Sequence, residues 1–286
     1  MNVHIVNRVT DTGIVSEMAQ WLADVNGWSI SDEPDPSAAV NYYMPYLEYD
    51  ALTAPDTKTA AWFTHFETGN AWKESRWHSA AFNVNLPLIT APGEMINLPF
   101  ARVIVPGVDR DRFRPLNGVF GENGRTAALP VVGTAGVGQP RKGPHLITDL
   151  FYSGLRVEIK LAGSGWPFPH HNIKPRFMPD FYNALDAYLC TSLIEGIPMP
   201  VLEALACGTK VVIPDGVGIC DMLPEMPGIR HYPAGNSRAM IETIRRVLVD
   251  KPKAGALREV TEDYTIEHWC KSHTAAMEAS FATISV

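Results

Sequence analysis

Short apolar runs rich in β-branched residues alternate along the whole chain with segments whose apolar positions recur at helical spacing. Repeated βα units that build a parallel sheet take this form in a sequence. In the first half the strand candidates are Asn2–Asn7, Ala38–Tyr43, Thr59–His65, Leu86–Thr90 and Arg102–Val105, with helices expected over Gly13–Val25 and Asn70–Ala81. In the second half strands are expected at Pro130–Gly133, Val157–Ala162, Ala187–Thr191, Lys210–Ile213 and Arg230–Tyr232. Helices are expected at Pro144–Tyr152, Pro179–Leu185, Pro198–Ala206 and Ser237–Val249, the last marked by the stripe Met240, Ile241, Ile244, Val247 and Leu248. A final helix is expected from about Thr265 to Phe281. Pro115 to Arg125, rich in glycine and poor in apolar anchors, reads as a linker. The pattern therefore predicts two doubly wound α/β units, 1–115 and 116–264, followed by a helix over about 265–286.

Composition agrees with this division. The 286 residues exceed the roughly 100–200 of one average domain, and with 46% apolar and 19% charged residues the chain is neither disordered nor fibrous. No run approaches the roughly 18 apolar residues of a membrane span, because Pro130, Gly133 and Gly136 interrupt the richest region. Met1–Asn7 reads as a first strand and not as a secretory leader. Cys190, Cys207, Cys220 and Cys270 lie far apart with no CxxC, which fits neither a disulfide framework nor a zinc site, and a reducing cytoplasm is expected. The net charge of −7 is concentrated in residues 1–115, with 8 basic against 14 acidic groups. That half offers no bulk positive charge for a polyanion such as nucleic acid.

In open α/β sheets ligands bind at the carboxyl ends of the strands, so the strand-to-helix loops are where chemistry is expected. One such loop carries Glu195 and Gly196 ahead of a helix that opens about Pro198, and the free N–H groups of a helix start suit a phosphate or diphosphate. Glu203 follows in the apolar run Val201-Leu202-Glu203-Ala204-Leu205-Ala206, where a lone acid needs a partner that ribose hydroxyls would supply. Taken alone, the two acids also read as a helix-dipole partner and a solvated helical residue. A second loop, Val132-Gly133-Thr134-Ala135-Gly136-Val137-Gly138-Gln139-Pro140-Arg141-Lys142-Gly143, ends a strand in glycines and two cations. It reads either as a diphosphate cradle or as a flexible loop with solvated cations, and it is neither GxGxxG nor a P-loop.

The run Ser192-x2-Glu195-Gly196-x-Pro198-x3-Leu202-Glu203-Ala204-x-Ala206-Cys207-Gly208 resembles the Glu-x7-Glu motif of retaining glycosyltransferases of the GT-B fold, family 4. Val103–Asp109 with Phe113-Arg114-Pro115, and Phe181–Leu189, resemble the family's inter-domain segment and the lead-in to its motif strand. The resemblance implies two Rossmann-like doubly wound domains facing across a cleft, the first on the acceptor side and joined by the final helix, the second binding a nucleoside-diphosphate sugar. It implies that Glu195 contacts the donor sugar, that Glu203 holds the ribose, and that Gly196, Ile197, Pro198 and Leu202 line the donor. Lys142 would stabilise the leaving diphosphate, with Arg141 standing in for the arginine that the family places where Thr134 stands. His65 would face the reacting sugar, and Gly13 would sit in the loop after the first strand. The implied reaction moves a sugar, UDP-glucose being a suitable donor, to a saccharide or small-molecule hydroxyl without a metal or other cofactor. The rival readings are a glucosyltransferase of modified nucleic-acid bases, which the acidic first half disfavours, and an epimerase or non-catalytic binder of nucleotide sugars on the same fold. The brevity of the first half predicts an open acceptor site and a neutral or cationic acceptor.

Other features read as structural. His170-His171 are adjacent and cannot share a helix face, Gly163-Ser164-Gly165 lacks nucleophile-elbow spacing, and Asp109-Arg110-Asp111 falls inside the inter-domain segment. Of Tyr42, Tyr43, Tyr46, Tyr49, Trp62, Trp72 and Trp77, half or more are expected in the core and the rest are available for sugar stacking.

Overall fold

A computed structural model describes residues 1–8, 14–116, 129–253 and 255–281. The chain divides into two compact units, Met1–Pro106 with Ile266–Val286, and Gly107–Thr265. The expected loop Thr10–Gly13, with its site residue Gly13, and most of the expected linker lie outside the described residues.

The first unit contains β1 (Val3–Val6), α1 (Ile14–Asn26), β2 (Ser29–Ser31), β3 (Val40–Tyr43), β4 (Lys58–Phe63), α2 (Ala71–Asn83), β5 (Leu86–Ile89) and β6 (Arg102–Val103). They form an all-parallel sheet in the order β2-β1-β3-β4-β5-β6. The sequence reading missed β2, whose three residues are too few to show a strand pattern; the His4 ring bonds its Ser29 and Ser31 hydroxyls. Adjacent aromatics serve opposite faces, as the two-residue period of a strand requires. Tyr43 and Phe63 join Tyr46 and Trp77 on one side, with Tyr46 stacked on Phe63 at 5.0 Å. Tyr42 and Trp62 meet the last helix, α8 (Ile266–Phe281), where Tyr42 contacts His273 and Trp62 contacts Trp269. Their neighbours across the sheet are small: Tyr42 lies beside Ala60 and Tyr43 beside Ala61. Six of the seven aromatics are core, in line with the expectation that half or more would be, and Trp72 alone of them is exposed. Asn70 caps α2 by accepting a hydrogen bond from the Lys73 N–H.

The second unit contains β7 (Val131–Ala135), α3 (Pro144–Tyr152), β8 (Glu158–Ala162), α4 (Met178–Asn183), β9 (Ala187–Leu189), α5 (Met199–Ala206), β10 (Lys210–Asp215), β11 (Ile229–Pro233), α6 (Ser237–Val249) and α7 (Ala256–Glu259). Its parallel sheet runs β11-β10-β9-β7-β8. The apolar face of α6, Met240, Ile244 and Val247, packs with Leu146, Ile147 and Leu150 of α3 in one core, while α5 packs against β10, α4 and α7. Residues 107–116 belong to this unit, although the sequence reading placed them largely in the first. The reason is polar: Arg258 donates to the carbonyls of Arg110, Phe113 and Ala206, and Asn183 bonds Arg114 and Leu116.

Candidate active site

The strand order of the second unit places its switch point between β7 and β9, where successive connections leave the sheet in opposite directions. In open α/β sheets such a switch point, at the carboxyl ends of the strands, is where ligands bind. The loop after β7 is held by the loop after β8. Gly136 and Gly138 donate their N–H groups to Ala162 and Ser164 at 2.9 and 2.7 Å, and the Trp166 indole donates to the Gly136 carbonyl at 2.9 Å. Gly163 has φ of 103°, and a Cβ on it would run into the Gly136 carbonyl oxygen. The segment Gly163-Ser164-Gly165, uninformative as a motif, therefore supports the cradle, and only the close approach of the two loops reveals this.

Beyond the glycines the chain makes one 3-10 turn, Pro140–Lys142. Thr191 donates its hydroxyl to the Lys142 carbonyl at 2.6 Å and Leu193 its N–H to the Arg141 carbonyl at 2.7 Å, so the turn is tied to the loop that follows β9. Gly143, at φ 61°, lets the backbone pass against the Thr191 carbonyl, where any Cβ would collide.

These ties bring Arg141, Lys142 and Glu195 together. Glu195 is 8% exposed. Its Oε1 accepts a hydrogen bond from Arg141 Nη1 at 2.8 Å, forms an ion pair with Lys142 Nζ, and lies 3.4 Å from the donating Ser192 hydroxyl. The two cations are half-buried, with side-chain exposures of 24% and 14%. A carboxylate this far out of water needs such pairing. The result is a compact site with two positive charges and one negative.

The start of α5 corrects the expected anion site. Pro198 and Pro200 have no N–H, Met199 donates to the Ile197 carbonyl and Val201 to that of Pro198. The dipole of the helix remains, but four N–H groups pointing outward do not. Gly196 and Pro198 are buried and Ile197 is half-buried. Leu202 is fully buried and serves the core, not a ligand. Thr134 is likewise 2% exposed. Glu203 has a protein partner that the sequence reading did not supply: the Tyr182 hydroxyl donates to Oε2 at 2.5 Å. Burial, with the Glu203 charge adding to it, pushes the Tyr182 phenol well up, so it stays a donor.

In the first unit His65 lies just past β4, with Nε2 3.7 Å from the Glu67 carboxylate, which also pairs with Lys73 at 2.5 Å. Asp109 accepts the N–H groups of Asp111 and Arg112 and so closes a turn. The His170 Nδ1 bonds the Phe168 carbonyl, and His171 extends the edge of β8 through its backbone. Among the described residues no three His, Cys, Asp or Glu side chains cluster as metal ligands would.

Residues 155–250 match the family model described as "Glycosyl transferases group 1". That window contains Glu195, Gly196, Pro198 and Glu203. The chain is 30% identical over 172 residues to a probable transglycosylase of Burkholderia thailandensis, a match spanning 55% of this chain and 46% of the relative. It is 28% identical over 149 residues to the lipopolysaccharide core biosynthesis mannosyltransferase LpsB of Rhizobium meliloti, spanning 48% and 40%. Each match takes in less than half of the relative's length. Among solved structures, sucrose-phosphate synthase of Thermosynechococcus elongatus superposes with a TM-score of 0.81 at 14% identity, covering 99% of both chains. Anabaena HepE in complex with UDP-glucose superposes with a TM-score of 0.82 at 12% identity, covering 98% of this chain and all of that one. At such identities the likeness shows the fold, which is that of the GT-B glycosyltransferases with two Rossmann-like domains.

Proposed function

We propose that this chain is a glycosyltransferase that moves a sugar from a nucleoside-diphosphate donor, UDP-glucose being the first to test, to a hydroxyl of a saccharide or small molecule, with retention of anomeric configuration. The observation that carries this reading is the convergence of Arg141, Lys142 and Glu195 at the switch point of the second unit. The family match over residues 155–250 supports it.

A departing diphosphate gains negative charge as the glycosidic bond breaks. Preorganised cations in a partly buried site stabilise that charge without reorganising water. Lys142 and Arg141 fill this role, and the reading needs no resident cofactor because the donor is a substrate. The diphosphate oxygen assists deprotonation of the acceptor, which attacks the face the leaving group departs from, so configuration is kept. Glu195 holds the sugar and Glu203, fixed by Tyr182, the ribose; Gly196, Ile197 and Pro198 lie along the donor, while Thr134 and Leu202 act behind it. For His65 and for Gly13, which lies outside the described residues, the family resemblance suggests further donor contacts. The excess of acid in residues 1–115 favours a neutral or cationic acceptor over nucleic acid. Four cysteines present as free thiols suit a reducing cytoplasm.

The test is incubation with labelled UDP-glucose and a panel of saccharide acceptors. Transfer, or slow donor hydrolysis, is expected from the wild type, and Lys142→Ala should lower turnover by about 10²–10³-fold while circular dichroism shows an intact fold. Interconversion of the free donor sugar would show an epimerase, binding without turnover a sensor, and unchanged turnover in Lys142→Ala would reject the leaving-group role.

A further inference from the structure

The two cations assigned to the diphosphate already have an anion. Glu195 Oε1 takes the Arg141 guanidinium at 2.8 Å and the Lys142 ammonium together, in a site where the carboxylate is 7% exposed. Two positive charges face one negative charge, so the cluster carries an excess of one and suits a second anion. Gly136 borders the charged end of Lys142. Gly136, at φ 116°, has no Cβ, and one placed there would meet only the Lys142 Cε and Nζ, each at 3.8 Å. A side chain longer than alanine at 136 would lie over the ammonium. Residue 136 thus puts no side-chain atom of its own against the charged end of Lys142.

We propose that Glu195 is an internal competitor for the diphosphate: it pairs with Arg141 and Lys142, yields them to an incoming nucleotide sugar, and takes them back to expel the nucleoside diphosphate after transfer. This rests on the functional reading above and adds a role in product release to it. A ligand phosphate and the Glu195 carboxylate draw on the same N–H donors, and charge-assisted bonds of this kind are strong enough for competition between them to be measured. The exchange is not symmetrical between donor and product. With the sugar attached, Glu195 has hydroxyls to accept from once it leaves the cations. With the sugar gone it has none, and its best partners are again Arg141 and Lys142. A carboxylate in this position competes with the bare nucleoside diphosphate more than with the donor, which opposes the extra hold on Arg141 and Lys142 that the product gains from its additional phosphate charge. Ser192, whose hydroxyl is 3.4 Å from Oε1, and the ties from Thr191 and Leu193 to the cation turn keep the three groups within reach of one another.

The experiment is calorimetric titration of UDP and of inorganic pyrophosphate into the wild type, Glu195→Gln and Glu195→Asp, with UDP product inhibition of transfer measured beside it. Glu195→Gln removes the charge and keeps the shape. It should bind UDP and pyrophosphate about tenfold more tightly than the wild type, while transfer slows and UDP becomes a stronger inhibitor. Glu195→Asp keeps the charge with one methylene less reach, so it holds the two cations less well and should gain affinity by a smaller factor. It also serves as the second variant should the glutamine protein not fold with its cations unpaired. If the wild type binds UDP but neither variant binds it more tightly, the competitor role is overturned and the functional reading stands. If the wild type binds neither UDP nor pyrophosphate, the functional reading falls and this inference falls with it.

Discussion

Glu203 shows how an acid in an apolar helix finds a partner within the protein. It is half-buried on α5, and the buried Tyr182 hydroxyl donates to it at 2.5 Å. Such a bond to a charged acceptor contributes about 1.5–3 kcal/mol and also fixes where the carboxylate points. Tyr182→Phe should therefore lower stability by about 1–3 kcal/mol in urea unfolding. If Glu203 holds the ribose, the same change should weaken UDP binding with no loss of pyrophosphate binding, because the pyrophosphate ion lacks the ribose. Equal loss for both ligands would make Tyr182 a general support of the unit. The residues named from the sequence as donor contacts fall into two groups. Arg141, Lys142 and Glu195 meet at the end of the sheet, whereas Thr134 and Leu202 turn inward. Their residue types did not reveal this, since a threonine after a glycine and a leucine in a helix suit either side of a surface.

At the scale of elements, two loops that come from different strands form the cradle as one body. The turn after β7 and the turn after β8 share hydrogen bonds from Gly136 and Gly138, and Gly163 sits against the Gly136 carbonyl. Gly163→Ala demands a left-handed φ of a residue with a Cβ and drives that Cβ into the carbonyl oxygen. It should destabilise the second unit by about 2 kcal/mol or more, read by chemical denaturation, and should lower donor affinity because the cation turn follows directly from the displaced glycines. Full stability and full affinity in the variant would show that the loops move apart without consequence. Most elements were legible from periodicity: α3 and α6 have the expected bounds, and the other expected helices and strands lie within a few residues of theirs. The short edge strand β2 was not, because three residues with two serines carry no period. The contact between the glycine loops was not either, because it joins residues with no side chain to pattern.

For the molecule as a whole, the end of the chain completes the first unit. His273 of α8 is fully buried, donates Nδ1–H to the Trp269 carbonyl and accepts the Tyr42 hydroxyl of β3 on Nε2, each at 2.9 Å. Burial depresses its pKa to about 4 from 6.5, partly opposed by the bond to Trp269. The unfolded chain thus takes up this proton first as acid is added. The stability of the first unit is unaffected by this group above about pH 6.5 and falls as pH drops toward 4, in total by about 3 kcal/mol. His273→Gln removes the titration, so thermal unfolding followed by tryptophan fluorescence should lose stability less steeply between pH 7 and 4.5 than in the wild type. Parallel curves would show that the histidine gains its proton without unfolding. The sequence by itself determined the alternation of strand and helix, the two doubly wound units and the identity of the charged residues in the loops, because backbone periodicity and loop chemistry are local properties. The tertiary structure decided that residues 107–116 join the second unit, that Tyr182 partners Glu203, and that Glu195 closes on Arg141 and Lys142. The first two depend on hydrogen bonds between segments apart in sequence, and the last on strand order, which brings the loops after β7 and β9 side by side although about fifty residues separate them.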